Sequence, residues 1–424
     1  MQKSLSFPAL RGMLAERFRG LADHRQEGKV VHSVHDVFMS AFAMMFFQDP
    51  SLLQFQKRLE EEIHTSNLRT LFQVSSVPGD TAMREIIDAY DSEALMPLFD
   101  DFFRPLQRGK HLEAYRVLKD YYAITIDGSG YFSSERIGCP SCLKKTTKGH
   151  TLFEHWIVQA ALVHPGKRQV IPLAPEEVRN SDGTEKQDCE AKAARRLIGR
   201  LRASHPHLKT IVVADSLYSK QPFLEALSKE RMHYILVAKE EDHKVLTEYV
   251  RGAERSRLEV RDAKGRTHVY EWVDGMPLNG NDDAPPVTWL SYELSDKGKK
   301  TYHNTWVTDL PVSETNIEEL VRIGRCRWKI ENETFNTLKN QGYHIEHNFG
   351  HGVRHLSFNF FLLNLLAFFM HQIFELTNDT YQALREKFGS KRNLWDHLRA
   401  SLNIVLFPDW ETFFQRLLTP SRYV

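Results

Sequence analysis

The 424-residue sequence holds only four cysteines, Cys139, Cys142, Cys189 and Cys326. That is too few for the disulfide framework of a secreted chain. It also carries almost no net charge, +1 at neutral pH. A nucleic-acid partner must then be held by local basic patches rather than by a global field. No glycine-rich phosphate loop, low-complexity run or internal repeat occurs. The opening stretch, MQKSLSFPALRGMLAERFRG, lacks a continuous apolar segment; no signal peptide is read, and a cytoplasmic location is expected. Long apolar runs are scarce as well. The exception, Leu356 to Phe374, is interrupted by Ser357, Asn359, Asn364, His371 and Gln372. Polar groups at such positions are costly in lipid, so this segment is expected to be a buried core helix with no membrane partner.

What is present has the ordinary balance of a globular protein, 42% hydrophobic and 26% charged, with chain enough for two or three domains. The first third reads helical, at FMSAFAMMFF (38–47), LLQFQKRLEEEIHTSNLRTLF (52–72) and DTAMREIIDAY (80–90), the last opening on an Asp-Thr N-cap signal. Near residue 119 the texture changes. DYYAITIDGSGYF is β-rich and broken by Asp-Gly-Ser, a turn signal. Residues 155–174 read as a hairpin, 189–205 as a helix, and 208–219 and 233–239 as strands. Strands alternating with helices indicate an α/β sheet. From about 240 to 312 the pattern becomes antiparallel hairpins with Lys-Gly turns, expected to lie outside the central sheet. Helix signals return at SETNIEELVRIG, where Thr315 and Glu318 fit a capping box.

Asp127 and Asp215 share a setting, each following an apolar strand where a loop begins. Ligands gather at the carboxyl ends of strands in open α/β sheets; a turn-capping role is the bland alternative. A third acid comes from RCRWKIENETFNTLK (325–339). At helical spacing Arg327, Glu331, Phe335 and Leu338 share one stripe, which turns Glu331 inward and leaves Glu333 beside Asn336, Thr337 and Asn340 on a solvated side. Two strand-end aspartates and a helix glutamate could bind two divalent cations, and Mg²⁺ suits carboxylates, water and phosphate oxygens.

ITIDGSG, IVVADSLYS, the β-rich insertion and RCRWKIENETFNTLK together resemble the DDE transposases of bacterial insertion sequences. The nearest group is the IS-four-like one, whose RNase H-like core is interrupted by a β-strand insertion before the final glutamate. The resemblance spans roughly residues 119–375. It implies a mixed α/β, RNase H-like sheet with flanking helices, interrupted by an antiparallel β insertion and preceded by a helical N-terminal domain. The expected divisions are 1–118 (helical, DNA-binding), 119–239 (first part of the catalytic core), 240–312 (insertion) and 313–424 (second part of the core and C-terminal helices). It also implies metal-dependent cleavage at transposon ends and strand transfer into target DNA. Asp127, Asp215 and Glu331 would hold two Mg²⁺ or Mn²⁺ ions, double-stranded DNA would be the partner, and a homodimer would act on it. The family's Tyr-x2-Arg-x3-Glu-x6-Lys signature is kept only in part. Arg327 and Glu331 preserve their spacing, Gly324 replaces the tyrosine, and Lys339 falls one residue late, which leaves Glu333 as an alternative third acid. Arg327 and Lys339 are expected on DNA phosphates. Trp328 is read as a packed core residue, with stacking on a base as the other reading. A domesticated nuclease and a non-catalytic DNA-binding repressor are the competing functions.

Other constellations carry less. Cys139-x2-Cys142, with His150, His155 and Cys189 nearby, is half of a zinc-site spacing without a paired second half. Plain thiols are expected there, and structural zinc at Cys139/Cys142 is the alternative. His344, His347, His351 and His355 are expected to contact backbone or DNA phosphate rather than a metal. The basic segments 195–202, 297–300 and 385–393 read as solvated faces or, together, as a DNA track.

Overall fold

The computed structural model describes residues 3–147, 149–179 and 187–419. Nine strands make one continuous sheet: β1 (Tyr121–Ser134), β2 (Leu143–Thr147), β3 (His150–Val163), β4 (Thr210–Ala214), β5 (His233–Val237), β6 (Ser256–Arg261), β7 (Thr267–Pro277), β8 (Pro286–Asp296) and β9 (Lys299–Thr308). Their order is β2-β3-β1-β4-β5-β9-β8-β7-β6, and three short strands alongside bring the sheet to twelve. β1, β4 and β5 are parallel to their neighbours in that trio, whereas β3 runs antiparallel to β1. This is the mixed RNase H-like arrangement that the sequence pattern implies. β4 and β5 are almost wholly buried, which explains their unbroken apolar runs.

Three local expectations are corrected. Asp127-Gly128-Ser129 is not a turn. β1 runs straight through it for 14 residues, still paired with β3 at Asp127↔Gln159 and Gly128↔Val158. The hairpins after residue 240 do not stand apart from the central sheet: β9 pairs antiparallel with β5 through Trp306↔Val237 and Thr308↔Ile235. An unpaired edge on β5 would be a sticky row of backbone groups; β9 closes it, and Thr308 Oγ1 adds a 2.6 Å bond to the Tyr234 carbonyl. A helix, Lys244–Gly252, precedes these strands. The capping box at Thr315 and Glu318 does not form either. The helix that follows has Asn316 at its N-cap with no side-chain cap bond, and Thr315 Oγ1 is 2.9 Å from Ser313 Oγ instead. The helical expectations hold with shifted ends: α1 (Val34–Phe46), two helices (Leu52–Leu59 and Glu62–Phe72) in place of one, and Asp80–Asp88. The 189–205 expectation becomes α2 (Glu190–Ser204), and α3 is Ile317–Gly324.

The apolar segment becomes α4, Leu356–Thr377. It is long and apolar enough to cross a membrane, but 89% of that stretch is buried inside the protein. Its polar interruptions have internal work. Asn359 Nδ2 donates to the Ile87 and Tyr90 carbonyls at 3.0 and 2.8 Å, and Asn364 Nδ2 to the Tyr343 carbonyl at 2.7 Å. His371 Nδ1 lies 2.6 Å from the Tyr343 hydroxyl, and Gln372 Oε1 accepts the Val170 N–H at 3.2 Å. A buried polar side chain is tolerated when it is bonded, and here the bonds tie α4 to three places: the Ile87–Tyr90 stretch, Tyr343 and Val170.

Asp88 caps α4 from another helix. Its carboxylate accepts the backbone N–H groups of Val353, Arg354, His355 and Leu356 at 2.9–3.1 Å. Burial pushes this carboxyl up, but the four N–H bonds outweigh it and hold its pKa below the usual value. Such a group stabilises the fold above the unfolded carboxylate pKa, and that contribution disappears as pH falls through the lowered native value. Asp88→Ala is expected to cost about 2 kcal/mol, the upper end for a lost cap. Denaturant unfolding at pH 7 checks this, and the difference from the parent chain should shrink below about pH 4.

Candidate active site

The register of the parallel pair β1–β4 builds the centre of the site. Ile124 pairs with Val212 and Thr125 with Val213. β4 ends at Ala214, so Asp215 opens the loop just beyond it, close enough to Asp127 for its charge to act on that carboxyl. Alternation puts Asp127 on the same face as Thr125, whose hydroxyl donates to the Arg327 carbonyl at 3.5 Å. The 325–335 segment therefore packs over the face that carries the aspartate.

Burial, then the charges of Asp215 and Glu190, push the Asp127 carboxyl up to about 7, against the opposing pull of the Gly128 N–H and Arg327. Glu190, in the first turn of α2, is the acid that sequence reasoning missed. Its carboxylate fills the space beside Gly128: a Cβ there would stand 2.4 Å from the Glu190 carboxyl carbon. The Tyr218 hydroxyl donates to Glu190 Oε1 at 2.5 Å. Burial raises the Glu190 pKa, the Tyr218 bond lowers it, and the Asp215 charge raises it again. Gly128 is thus a glycine for lack of room, not for a turn. Asp215 also performs the bland role weighed for it, since Oδ1 accepts the Leu217 N–H at 2.9 Å.

The 325–335 segment is not one α-helix. A short 3₁₀ turn, Arg325–Arg327, leads into a π-helix at Ile330–Phe335. A π-turn holds more residues than an α-turn, so 3.6-residue spacing no longer states which side chains share a face. The facing expectation fails accordingly: the Glu331 side chain is 49% exposed and that of Glu333 only 18%. Their partners differ. Glu331 Oε1 is 2.7 Å from Arg327 Nη1, which is 4.0 Å from Asp127 Oδ2. Glu333 turns to Arg168, at 3.5 Å. The structure thus links Glu331 to Asp127 through one arginine and draws Glu333 toward the loop after β3.

The remaining candidates separate. Lys339 Nζ is taken by Glu346 at 2.8 Å. Trp328 is not a packed core residue: it is 42% exposed, with Lys329 Nζ 4.7 Å from its ring centroid. It lines a surface hollow with Arg322, Arg325 and Pro165. Position 324 has no room for a tyrosine, because a Cβ there would meet Trp306 Nε1 at 2.9 Å and Ile235 at 3.0 Å. Several cations of the basic segments are paired with acids. Arg196 binds Glu176 and Asp188, Arg200 binds Glu93 and Glu176, Lys300 pairs with Glu293, and Arg385 and Lys391 share Glu375.

The transposase DDE domain family matches residues 139–370, more than half of the chain. The chain belongs to this family. The match takes in Asp215 and Glu331, while Asp127 lies just upstream of it. No curated protein sequence matches the chain. Membership brings with it the general chemistry of the DDE domain, transposase-type metal-dependent cleavage of DNA.

The carboxylates of Asp127, Asp215 and Glu190, close enough for their charges to act on one another, offer hard oxygen atoms of the kind that suit Mg²⁺ or Mn²⁺. A methyl group on residue 128 would drive Glu190 away from Asp127. Gly128→Ala is expected to weaken Mn²⁺ binding by about tenfold or more, the usual cost of disturbing an outer-shell partner, with circular dichroism unchanged. Calorimetric titration with Mn²⁺ checks this.

Proposed function

We propose that the protein is a DNA transposase that cuts at transposon ends and joins the freed 3′-OH to target DNA, and that Asp127, Asp215 and Glu331 are its catalytic, metal-holding acids. The observation that carries the reading is the nearness of Asp215 and Glu190 to Asp127, whose carboxyl is pushed up to about 7 by burial and then by those two charges. Two carboxylates kept in such repulsion are stabilised by a cation between them. Bound divalent ions supply Lewis acidity at the attacking and leaving oxygens of a phosphodiester.

The chain's own groups do the rest. The Gly128 N–H holds Asp127 Oδ1 at 2.9 Å, which orients its other oxygen outward. Arg327, held between Asp127 and Glu331, keeps the glutamate at the site until ions and DNA phosphate redistribute those charges. In cleavage a water oxygen attacks phosphorus and the 3′-oxygen leaves as a hydroxyl; in joining, that hydroxyl attacks a target phosphodiester and displaces another 3′-oxygen. Trp328 and its ring of arginines form a surface on which an unpaired base can stack while its phosphates are neutralised. Arg327 faces a phosphate, and Lys339 becomes available to another on release from Glu346.

The finer reading has the same standing. An antiparallel insertion between Asp215 and Glu331 supports the IS-four-like group. Residues 1–118 would act as the DNA-binding part, with 119–239 and 313–424 as the two parts of the catalytic core around the 240–312 insertion. Two ends must be processed together, so the chain acts as a homodimer on double-stranded DNA, in the cytoplasm where that DNA lies.

The experiment is an assay of purified protein on DNA carrying the element's own ends, in Mg²⁺ or in EDTA. Joined products should require Mg²⁺ and disappear in Asp127→Asn and Asp215→Asn, while DNA binding persists, because binding rests on cationic contacts to phosphate. Cleavage without joining points to a domesticated nuclease, and activity that survives EDTA refutes the two-ion account. Glu331→Gln should abolish turnover and Glu333→Gln should leave it; the reverse result moves the third acid by two residues. Trp328→Ala should weaken single-strand binding by about 1–3 kcal/mol, the usual worth of one stacked base, as read by fluorescence anisotropy.

A further inference from the structure

Cys139, Cys142, His155 and His351 come together from three separate parts of the chain. The cysteines lie in the loop between β1 and β2, His155 is in β3, and His351 is in the segment just before α4. The facing atoms are Cys139 Sγ, Cys142 Sγ, His155 Nε2 and His351 Nε2, and one such atom from each residue lies within 4.8 Å of the others. His150 and Cys189, the partners considered from the sequence, are exposed and take no part. The cluster brings forward the structural-zinc alternative weighed for Cys139 and Cys142, while His351, expected on backbone or phosphate, meets backbone through Nδ1 and Cys142 through Nε2.

The dimensions identify the occupant. A tetrahedral Zn²⁺ with Zn–S of about 2.3 Å and Zn–N of about 2.05 Å requires S···S of about 3.8 Å, S···N of about 3.6 Å and N···N of about 3.3 Å. The observed separations are 3.7 Å between the sulfurs, 3.3–3.5 Å from sulfur to nitrogen, and 3.2 Å between the nitrogens. A disulfide would need the sulfurs at about 2.05 Å, and both cysteines are free.

The surroundings match as well. Metal-bound histidines direct their other ring nitrogen at a carboxylate or carbonyl. His155 Nδ1 is 3.4 Å from Glu177 Oε1, which also accepts the Tyr131 hydroxyl at 3.2 Å. His351 Nδ1 donates to the Gly352 carbonyl at 2.9 Å. The Cys139 N–H points at Cys142 Sγ, 3.4 Å away. Cys142 is 1% exposed, His155 2% and His351 8%, Cys139 is partly buried, and the four side chains together supply a complete tetrahedral set.

We propose that these four residues bind one structural Zn²⁺. A closed Cys2His2 set holds the metal without catalysing anything. Its mechanical effect follows from where the ligands sit. It fastens the stretch between the π-helix and α4 to β3, and so fixes the far end of the segment that carries Glu331 relative to the strand pair that carries Asp127. The proposal is separate from the transposase reading, since its test needs neither DNA nor cleavage.

The test begins with the full chain, purified without metal-chelate chromatography and analysed by mass spectrometry for metal content. About one zinc per chain is expected, falling below about a tenth in Cys142→Ser and in His351→Asn, whereas Cys189→Ser and Cys326→Ser retain it. Cobalt substituted into the parent chain should show tetrahedral d–d bands and a thiolate charge-transfer band, a readout that does not depend on any variant folding. Removing zinc with a selective chelator should lower the thermal midpoint, restored by Zn²⁺ and not by Mg²⁺. A parent chain that neither retains zinc nor shows cobalt–thiolate absorption overturns the proposal, as does full zinc content in Cys142→Ser.

Discussion

Two carboxylates that repel each other, Asp127 within β1 and Asp215 just past the end of β4, are brought near one another by the parallel pairing of those strands, and much of the molecule serves that constraint. β1 and β4 cannot slip to separate Asp127 from Asp215 without turning the Ile124 and Val212 faces out of the core, because a one-residue shift inverts every side chain. The sheet is broad on both sides of the pair. β3 pins β1 along its whole length, and β5 and β9 close the far edge of β4. Charge repulsion at the centre is offset by apolar burial in β4 and β5 and by the partners set around the acids, namely the Gly128 N–H, Arg327 and the Tyr218 hydroxyl.

Glu331 is placed by a different device. The 325–335 segment passes from 3₁₀ to π geometry as it crosses the sheet, a form of helix often found at functional positions. The wide turn sends Glu331 toward Arg327 and Glu333 toward Arg168. Upstream, α3 is seated closely on the sheet by Gly324 against Trp306, and Arg325 lies over the Tyr302 ring at 4.6 Å. The insertion strands thus form part of the support on which the acid-bearing segment rests, which gives their continuity with the central sheet a function.

α4 unites the two halves of the chain. Its apolar surface packs against the N-terminal helices, Asn359 bonds the Ile87 and Tyr90 carbonyls there, Asn364 bonds that of Tyr343, and Gln372 reaches the backbone beside the sheet. The Cys/His cluster stands close to the N-terminal end of α4, so the path from Glu331 to the core is fastened at Asp88 and again at His155. Positional precision at a nuclease site depends on such outer supports, because the reacting groups must be held to within a fraction of an ångström.

The amino-acid sequence by itself determined what depends on short-range pattern. Buried strands were legible as apolar runs, α4 as a core helix from its spaced polar residues, the insertion from its turns, and Asp215 from the strand that precedes it, whereas Asp127 sits within β1. Tertiary structure decided what depends on contacts between distant residues. Gly128 resembled a turn, yet it is small because Glu190 occupies its side-chain space. Glu331 and Glu333 could not be told apart because a π-turn breaks the periodicity on which facing is read. Trp328 was taken for core because hydrophobicity does not report exposure. The second half of the Cys/His cluster stayed hidden because His351 lies 209 residues from Cys142, and no spacing rule spans a gap that only folding closes.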